Sequence, residues 1–151
     1  MTNAVPEPDD VVALIRHQHE LVRQSIGTIK AAAPDERARL FQELAMTVPG
    51  HETAEQSVVY PALRELGAEG ERVADARIAE EEQASETLAG LESLDASTAE
   101  FEQAFTAFSG DVEQHALSEE AEVLPLLQRF EAARRLEMAE AFRSVQMEAR
   151  A

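Results

Sequence analysis

Apolar residues recur every three or four positions through four long stretches of the chain, the spacing of one face of an α-helix. The first stretch carries Val12, Ile15, Val22, Ile26 and Ile29. It opens after Asp9 or Asp10 as N-cap and must stop before Pro34, since the residue ahead of a proline is pushed out of helical geometry. The second starts near Asp35 and carries Phe41, Leu44, Val48, Val58 and Leu66 as far as Gly67 and Gly70. Pro49 and Gly50 fall inside it, so a bend or break is expected just before His51. The third runs from about Glu71 to Leu94 on Ile78, Ala84, Leu88 and Leu91. The fourth opens at Ser97, where Glu100 completes a capping box, and carries Phe101, Phe105, Phe108, Val112 and Leu126. A fifth amphipathic stretch, with Leu136, Phe142 and Val145, closes the chain.

Only a few residues connect the four long stretches, which makes sequential helices antiparallel neighbours. The expected fold is therefore all-α: an up-down-up-down antiparallel four-helix bundle with a short C-terminal fifth helix. It occupies residues 9–151 as one domain behind a disordered tail of residues 1–8. A chain of 151 residues is enough for one such core and too little for two.

One internal repeat is visible. HETAEQSVVYPAL at residues 51–63 aligns without gaps on HALSEEAEVLPLL at residues 115–127. The alignment matches His51 with His115, Glu55 with Glu119, Val59 with Val123, Pro61 with Pro125 and Leu63 with Leu127. The second and fourth helices are thus expected to play the same part twice.

The apolar stripes are broken in phase by ionisable residues. The first stripe has His19 where an aliphatic residue is due, the second has His51 and Glu55, the fourth has His115 and Glu119, and the third has Glu81 between Ile78 and Ala84. Glu81 sits in a run with Glu80 and Glu82, and Glu82 is the substitute should the phase differ. Counting from the shared loops at about 1.5 Å per residue puts the six groups at one height to within about one helical turn. A single histidine on an apolar face is ordinarily a hydrogen-bonded core residue, but four helices aiming such groups at one layer need a compensating charge. Each buried charge costs several kcal/mol unless it is paired or bound to a cation. One or two dications would supply the compensation.

The HxxxE spacing stacks an imidazole over a carboxylate on one helix face, and two such pairs suit a dinuclear site with Glu55 and Glu119 bridging. The absence of cysteine removes disulfides and thiolate metal sites, leaving nitrogen and oxygen donors that suit iron or manganese better than Cu(I). His17, two residues off the seam, is expected in solvent. Tyr60 lies about 140° around an α-helix from Glu55, so it and Glu52 are candidates only to hydrogen-bond the ligands from behind. With 13 basic against 30 acidic residues the chain carries −17, a field that repels nucleic acid and anionic membrane surfaces. No apolar run approaches the ~20 residues of a membrane span and no secretion signal is visible, so a cytoplasmic location is expected.

A seam histidine on the first helix followed by HxxxE on the second and fourth resembles the hemerythrin-like family, or HHE cation-binding domain, over about residues 9–130. The resemblance implies a four-helix bundle around a non-haem di-iron centre, with His19, His51, Glu55, His115 and Glu119 at ligand positions. Ferritin-like bundles differ, carrying ExxH and a long crossover. The family's oxygen carriers have two histidines four residues apart on the third helix, where this chain has Glu81 and Ser85. A carboxylate in place of a neutral imidazole favours the diferric state and works against reversible dioxygen carriage.

The expected function is therefore redox activity toward hydrogen peroxide or a related small oxidant, catalase-like or peroxidase-like if it turns over. Two iron ions are the expected cofactor, with manganese behind them. His19, His51, His115 and Glu81 would be terminal ligands, and the small-molecule partner would be peroxide, dioxygen or nitric oxide. The alternative is an oxygen, nitric oxide or iron sensing or storage protein without turnover.

Overall fold

The computed structural model describes residues 7–150, and all regular structure among them is helical. The helices are α1 (Val11–Ala31), α2 (Pro34–Ala54), α3 (Tyr60–Arg64), α4 (Ala68–Glu92), α5 (Ala99–Ser118), α6 (Leu124–Leu127) and α7 (Ala132–Ala149). Two π-helical segments, Glu55–Val59 and Glu119–Val123, join α2 to α3 and α5 to α6. The bundle thus has four rods, α1, α2–α3, α4 and α5–α6, in the antiparallel order that the short connections demand. The fifth helix, α7, lies against α1 and α2. No helix among the described residues is long and apolar enough to cross a membrane.

The helix ends follow local chemistry, with three shifts from expectation. Asp10 caps α1 by accepting the Val12 N–H at 2.8 Å. Proline occupies the first position of α2, where its missing N–H would have had no helical partner. The cap of α5 is Thr98, whose hydroxyl accepts the Phe101 N–H at 3.2 Å; Ser97 instead sits in a turn with Asp95. Gly67, with φ of +92°, makes the turn ahead of α4, a left-handed conformation that favours glycine. Gly70 does not end a helix but lies inside α4, and a Cβ there would fall 1.8 Å from the Leu63 carbonyl oxygen, which is why the position is glycine. Pro49 sits within an uninterrupted α2, and the departure from α geometry comes later, at Glu55.

Of the tail expected over residues 1–8, residues 1–6 lie outside the described residues; the Pro8 carbonyl accepts from Arg143 of α7 at 2.9 Å. On α7 the buried face is Met138, Ala139 and Phe142, while Leu136 is half-exposed. Leu136 and Phe142 are six residues apart, which leaves them on different sides of a helix that turns about 100° per residue.

Two apolar clusters fill the bundle. One joins Leu14, Ile15, Val59, Leu63, Val123 and Leu127 with Met138 and Phe142 of α7. The other joins Ile29, Leu44, Leu88 and Leu91 with Phe41, Phe101, Phe105 and Phe108, where Phe41 meets Phe101 edge-on at 5.0 Å. Between them lies a polar layer of His19, His51, Glu55, Glu81 and Glu119, all buried, with His115 at its edge.

The tight approach at Gly70 predicts that Gly70→Ala destabilises the fold by about 1–3 kcal/mol or more, since backbone must move. Gly27→Ala, with nothing within 4 Å of its Cβ, should stabilise by up to about 1 kcal/mol. Thermal melting of the two variants should move in opposite directions.

Candidate metal centre

Four rods each contribute to the polar layer: His19 from α1, His51 and Glu55 from α2 and its π segment, Glu81 from α4, His115 and Glu119 from α5 and its π segment. The donor atoms form two overlapping sets in which all atoms lie within 4.8 Å of one another: His19, His51, Glu55 and Glu119, and Glu55, Glu81, His115 and Glu119. Glu55 and Glu119 belong to both. The six residues that break the sequence stripes therefore meet at one place. Glu82 is exposed and His17 is half-buried, and neither belongs to these sets.

The two π segments begin at the two shared carboxylates, at equivalent places in the 13-residue repeat. In each, the residue after the segment donates its N–H five residues back: Tyr60 to Glu55, and Leu124 to Glu119. Pro61 and Pro125 follow at once, where bonding is changing from i→i+5 to i→i+4 and a missing donor costs little.

The longer register also stacks residues five apart, which carries Tyr60 onto the face of Glu55, against the α-helical expectation. Its hydroxyl donates within reach of Glu81 Oε2 at 2.7 Å and Glu119 Oε2 at 3.1 Å, and lies 3.5 Å from Glu55 Oε1. The second copy of the repeat has Leu124 there, so this contact exists once. Glu52 is buried too, in the wall of an apolar cavity that reaches His19, His51 and His115 between Val22, Val48, Ala84, Val112 and Ala116.

Each imidazole is held from behind through Nδ1, with Nε2 turned to the centre. His51 Nδ1 lies 2.8 Å from Gln18 Oε1, His115 Nδ1 2.7 Å from Glu80 Oε1, and His19 Nδ1 2.8 Å from Glu120 Oε2. A carbonyl or carboxylate oxygen can only accept, so each Nδ1 carries hydrogen and points it outward. Arg23 in turn donates to Glu120 at 3.0 Å, and Arg77 pairs with Glu80 at 2.9 Å. These three acceptors were not singled out in the sequence. The available signal is position: Gln18, Glu80 and Glu120 each adjoin a seam residue, yet each supports an imidazole on another helix.

Protonation in the cluster follows burial and charge. Burial drives the His51 imidazole down to about 4, so it is neutral at physiological pH. Burial, together with the charges of Glu119 and Glu81, lifts the Glu55 carboxyl well above its ordinary value. Burial opposes charge on Glu119 as well, but hydrogen bonds with Glu55, His115 and His19 outweigh it and hold this carboxyl well below its ordinary value. Burial also works against a charged His115, yet hydrogen bonds to Glu119 and Glu81 raise it to about 11. Burial and the Glu81 charge push Glu52 up to about 8. Burial and the three surrounding carboxylates push the Tyr60 hydroxyl far above its ordinary value, so it stays a donor.

The donor set fits a cation. His51 Nε2 and Glu55 Oε2 are both buried without a hydrogen-bond partner although they stand 3.3 Å apart. Buried polar atoms left without partners are costly on their own and natural as ligands of one ion. Imidazole and carboxylate donors without thiolate suit a borderline to hard dication.

A helical bundle with a buried histidine–carboxylate cluster drawn from four rods is the architecture of a cation-binding domain. Residues 10–127 match the hemerythrin HHE cation-binding domain, and the chain belongs to that family. The crystal structure of a hemerythrin HHE cation-binding domain-containing protein from Mycobacterium kansasii superposes with a TM-score of 0.82. The two sequences are 23% identical over 93% of this chain and 87% of the other, so the fold is what they share. Among curated proteins none matches the chain.

Two outcomes follow for the metal-free protein at neutral pH. A cation must displace the protons that His115 and Glu55 hold, so its binding constant should fall about tenfold per displaced proton for each unit the pH is lowered. Calorimetric titration in two buffers of different ionisation enthalpy measures the protons released. Glu80→Gln and Glu120→Gln, which leave the six donors in place, should weaken cation binding about 10- to 100-fold.

Proposed function

We propose that this chain holds a dinuclear iron centre and reacts with hydrogen peroxide or a related small oxidant. The observation that carries the nuclearity is the pair of overlapping donor sets sharing Glu55 and Glu119. His19 and His51 would complete one position, and Glu81 and His115 the other. Two irons bound there would supply Lewis acidity and the two-electron capacity that peroxide chemistry needs. Peroxide disproportionation balances on that capacity: one peroxide takes two electrons and two protons to give two waters, and a second returns them and leaves as dioxygen.

The protein's own contribution is placement. Tyr60 donates its hydroxyl hydrogen to Glu81 at 2.7 Å, with Glu119 at 3.1 Å and Glu55 at 3.5 Å from the same oxygen, and so helps to hold the three carboxyl groups at one point. Gln56 steadies the other Glu81 oxygen at 2.9 Å. The cavity over the histidines is walled by Val22, Val48, Ala84, Val112 and Ala116, with Arg23, Glu52, Glu113 and Glu119 also in its lining, and its apolar stretch would suit a small uncharged molecule. Glu52 brings a carboxyl group into the wall of that cavity.

The carboxylate at Glu81 supports oxidant chemistry over reversible oxygen carriage. Both shared carboxylates and Glu81 surround the His115 position, and negative charge there stabilises the more highly charged metal state. Iron storage or sensing of dioxygen or nitric oxide is the second reading, which the same ligand set would serve without turnover.

Protein purified without chelator should contain two irons per chain and show ligand-to-metal charge-transfer absorption. Wild-type protein should consume peroxide with release of dioxygen, and His51→Ala and Glu81→Ala should lose most of that activity along with part of their iron. Equal rates in all three proteins would rule out turnover at this centre. Iron-loaded wild type without peroxide consumption would favour the second reading.

A further inference from the structure

The fifth helix lies beyond the residues that match the family, which end at 127, yet it reaches the cluster. Gln146 of α7 and Gln18 of α1 bond reciprocally: Gln18 Nε2 donates to Gln146 Oε1 at 2.9 Å, and Gln146 Nε2 donates to Gln18 Oε1 at 2.7 Å. The same Gln18 Oε1 accepts from His51 Nδ1 at 2.8 Å. On the same helix, Phe142 sets its ring edgewise on the His51 imidazole, with centroids 5.4 Å apart and planes at 70°.

The three histidines are therefore not supported alike. His19 and His115 are backed by carboxylates, themselves paired with Arg23 and Arg77, whereas His51 is backed by a neutral amide. A glutamine on a helix surface has three rotatable bonds and two indistinct faces, so on its own it holds an imidazole poorly. The reciprocal amide pair removes the rotational freedom of the side chain, and the arrangement it holds presents Gln18 Oε1 to His51. It fixes the Gln18 side chain in place, and with its oxygen toward His51 the ring must carry hydrogen on Nδ1 and keep Nε2 bare.

We propose that Gln146 is a positioning residue for the metal centre, acting through Gln18 to set the orientation and tautomer of His51. The fifth helix is then part of the cation site and not only a cover for α1 and α2. This inference rests on the reading of the cluster as a metal centre only for its effect on affinity; the tautomer is a property of the metal-free protein.

The test compares wild type with Gln146→Leu, Gln146→Glu and Met147→Ala, the last at a position 74% exposed on the same helix. Nitrogen-15 NMR of the metal-free proteins reads the His51 tautomer, and cobalt(II) titration, followed by visible absorption, reads affinity. Wild type and Met147→Ala should show a single Nδ1–H tautomer. Gln146→Leu should show mixed tautomers and an affinity lower by about tenfold. Gln146→Glu keeps an acceptor for Gln18 Nε2 and should restore most of both.

A folded Gln146→Leu with the wild-type tautomer and affinity overturns the proposal. Should that variant lose its helical circular dichroism, Gln146→Ser, too short to reach Gln18, is read in the same way and decides. A tautomer change in Gln146→Leu with no cobalt binding by any protein, wild type included, would keep the positioning role and sink the metal reading.

Discussion

Putting three carboxylates and three imidazoles into the middle of a helical bundle is unfavourable unless something gathers their charges, and the rest of the molecule is arranged around that constraint. The apolar residues do not form one continuous core. They divide into two clusters above and below the polar layer, one rich in phenylalanine at the α1–α2 loop end, the other built with the help of α7. Each cluster locks two or more rods in register, and the register is what brings donor atoms from four rods within 4.8 Å of each other. In the metal-free protein part of the strain is relieved by protons, held on Glu55 and His115 and denied to Glu119 and His51.

Much of this was legible in the sequence because the donors interrupt a periodic pattern. A histidine or glutamate in phase with leucine and isoleucine announces its own direction, so His19, His51, Glu55, Glu81, His115 and Glu119 could be placed in one layer by counting. Phase also separates Glu81 from Glu80 and Glu82. What phase could not provide was anything that depends on a departure from 3.6 residues per turn. An α-helical count turns Tyr60 away from Glu55, and the five-residue π segment that begins at Glu55 changes the angle. Pro49 is the break that local sequence predicts, but the irregularity belongs to the repeat, at Glu55 and Glu119, each six residues before its own proline.

The supports of the imidazoles were hidden for a different reason. Gln18, Glu80 and Glu120 look like ordinary polar neighbours of seam residues, and each works across to another helix, so no local spacing reveals the pairing. The role of Gly70 was hidden in the same way, since a glycine that lets two backbones touch and a glycine that ends a helix look alike in one dimension.

The two π segments give the rods a common anatomy. An i→i+5 turn breaks the regular ladder of the turns on either side, so α2–α3 and α5–α6 each carry their one seam at the height of the polar layer. Both seams face the same small volume and carry the side chains that would grip whatever occupies it. An occupant would therefore splice two columns at once, at the level where each changes its winding.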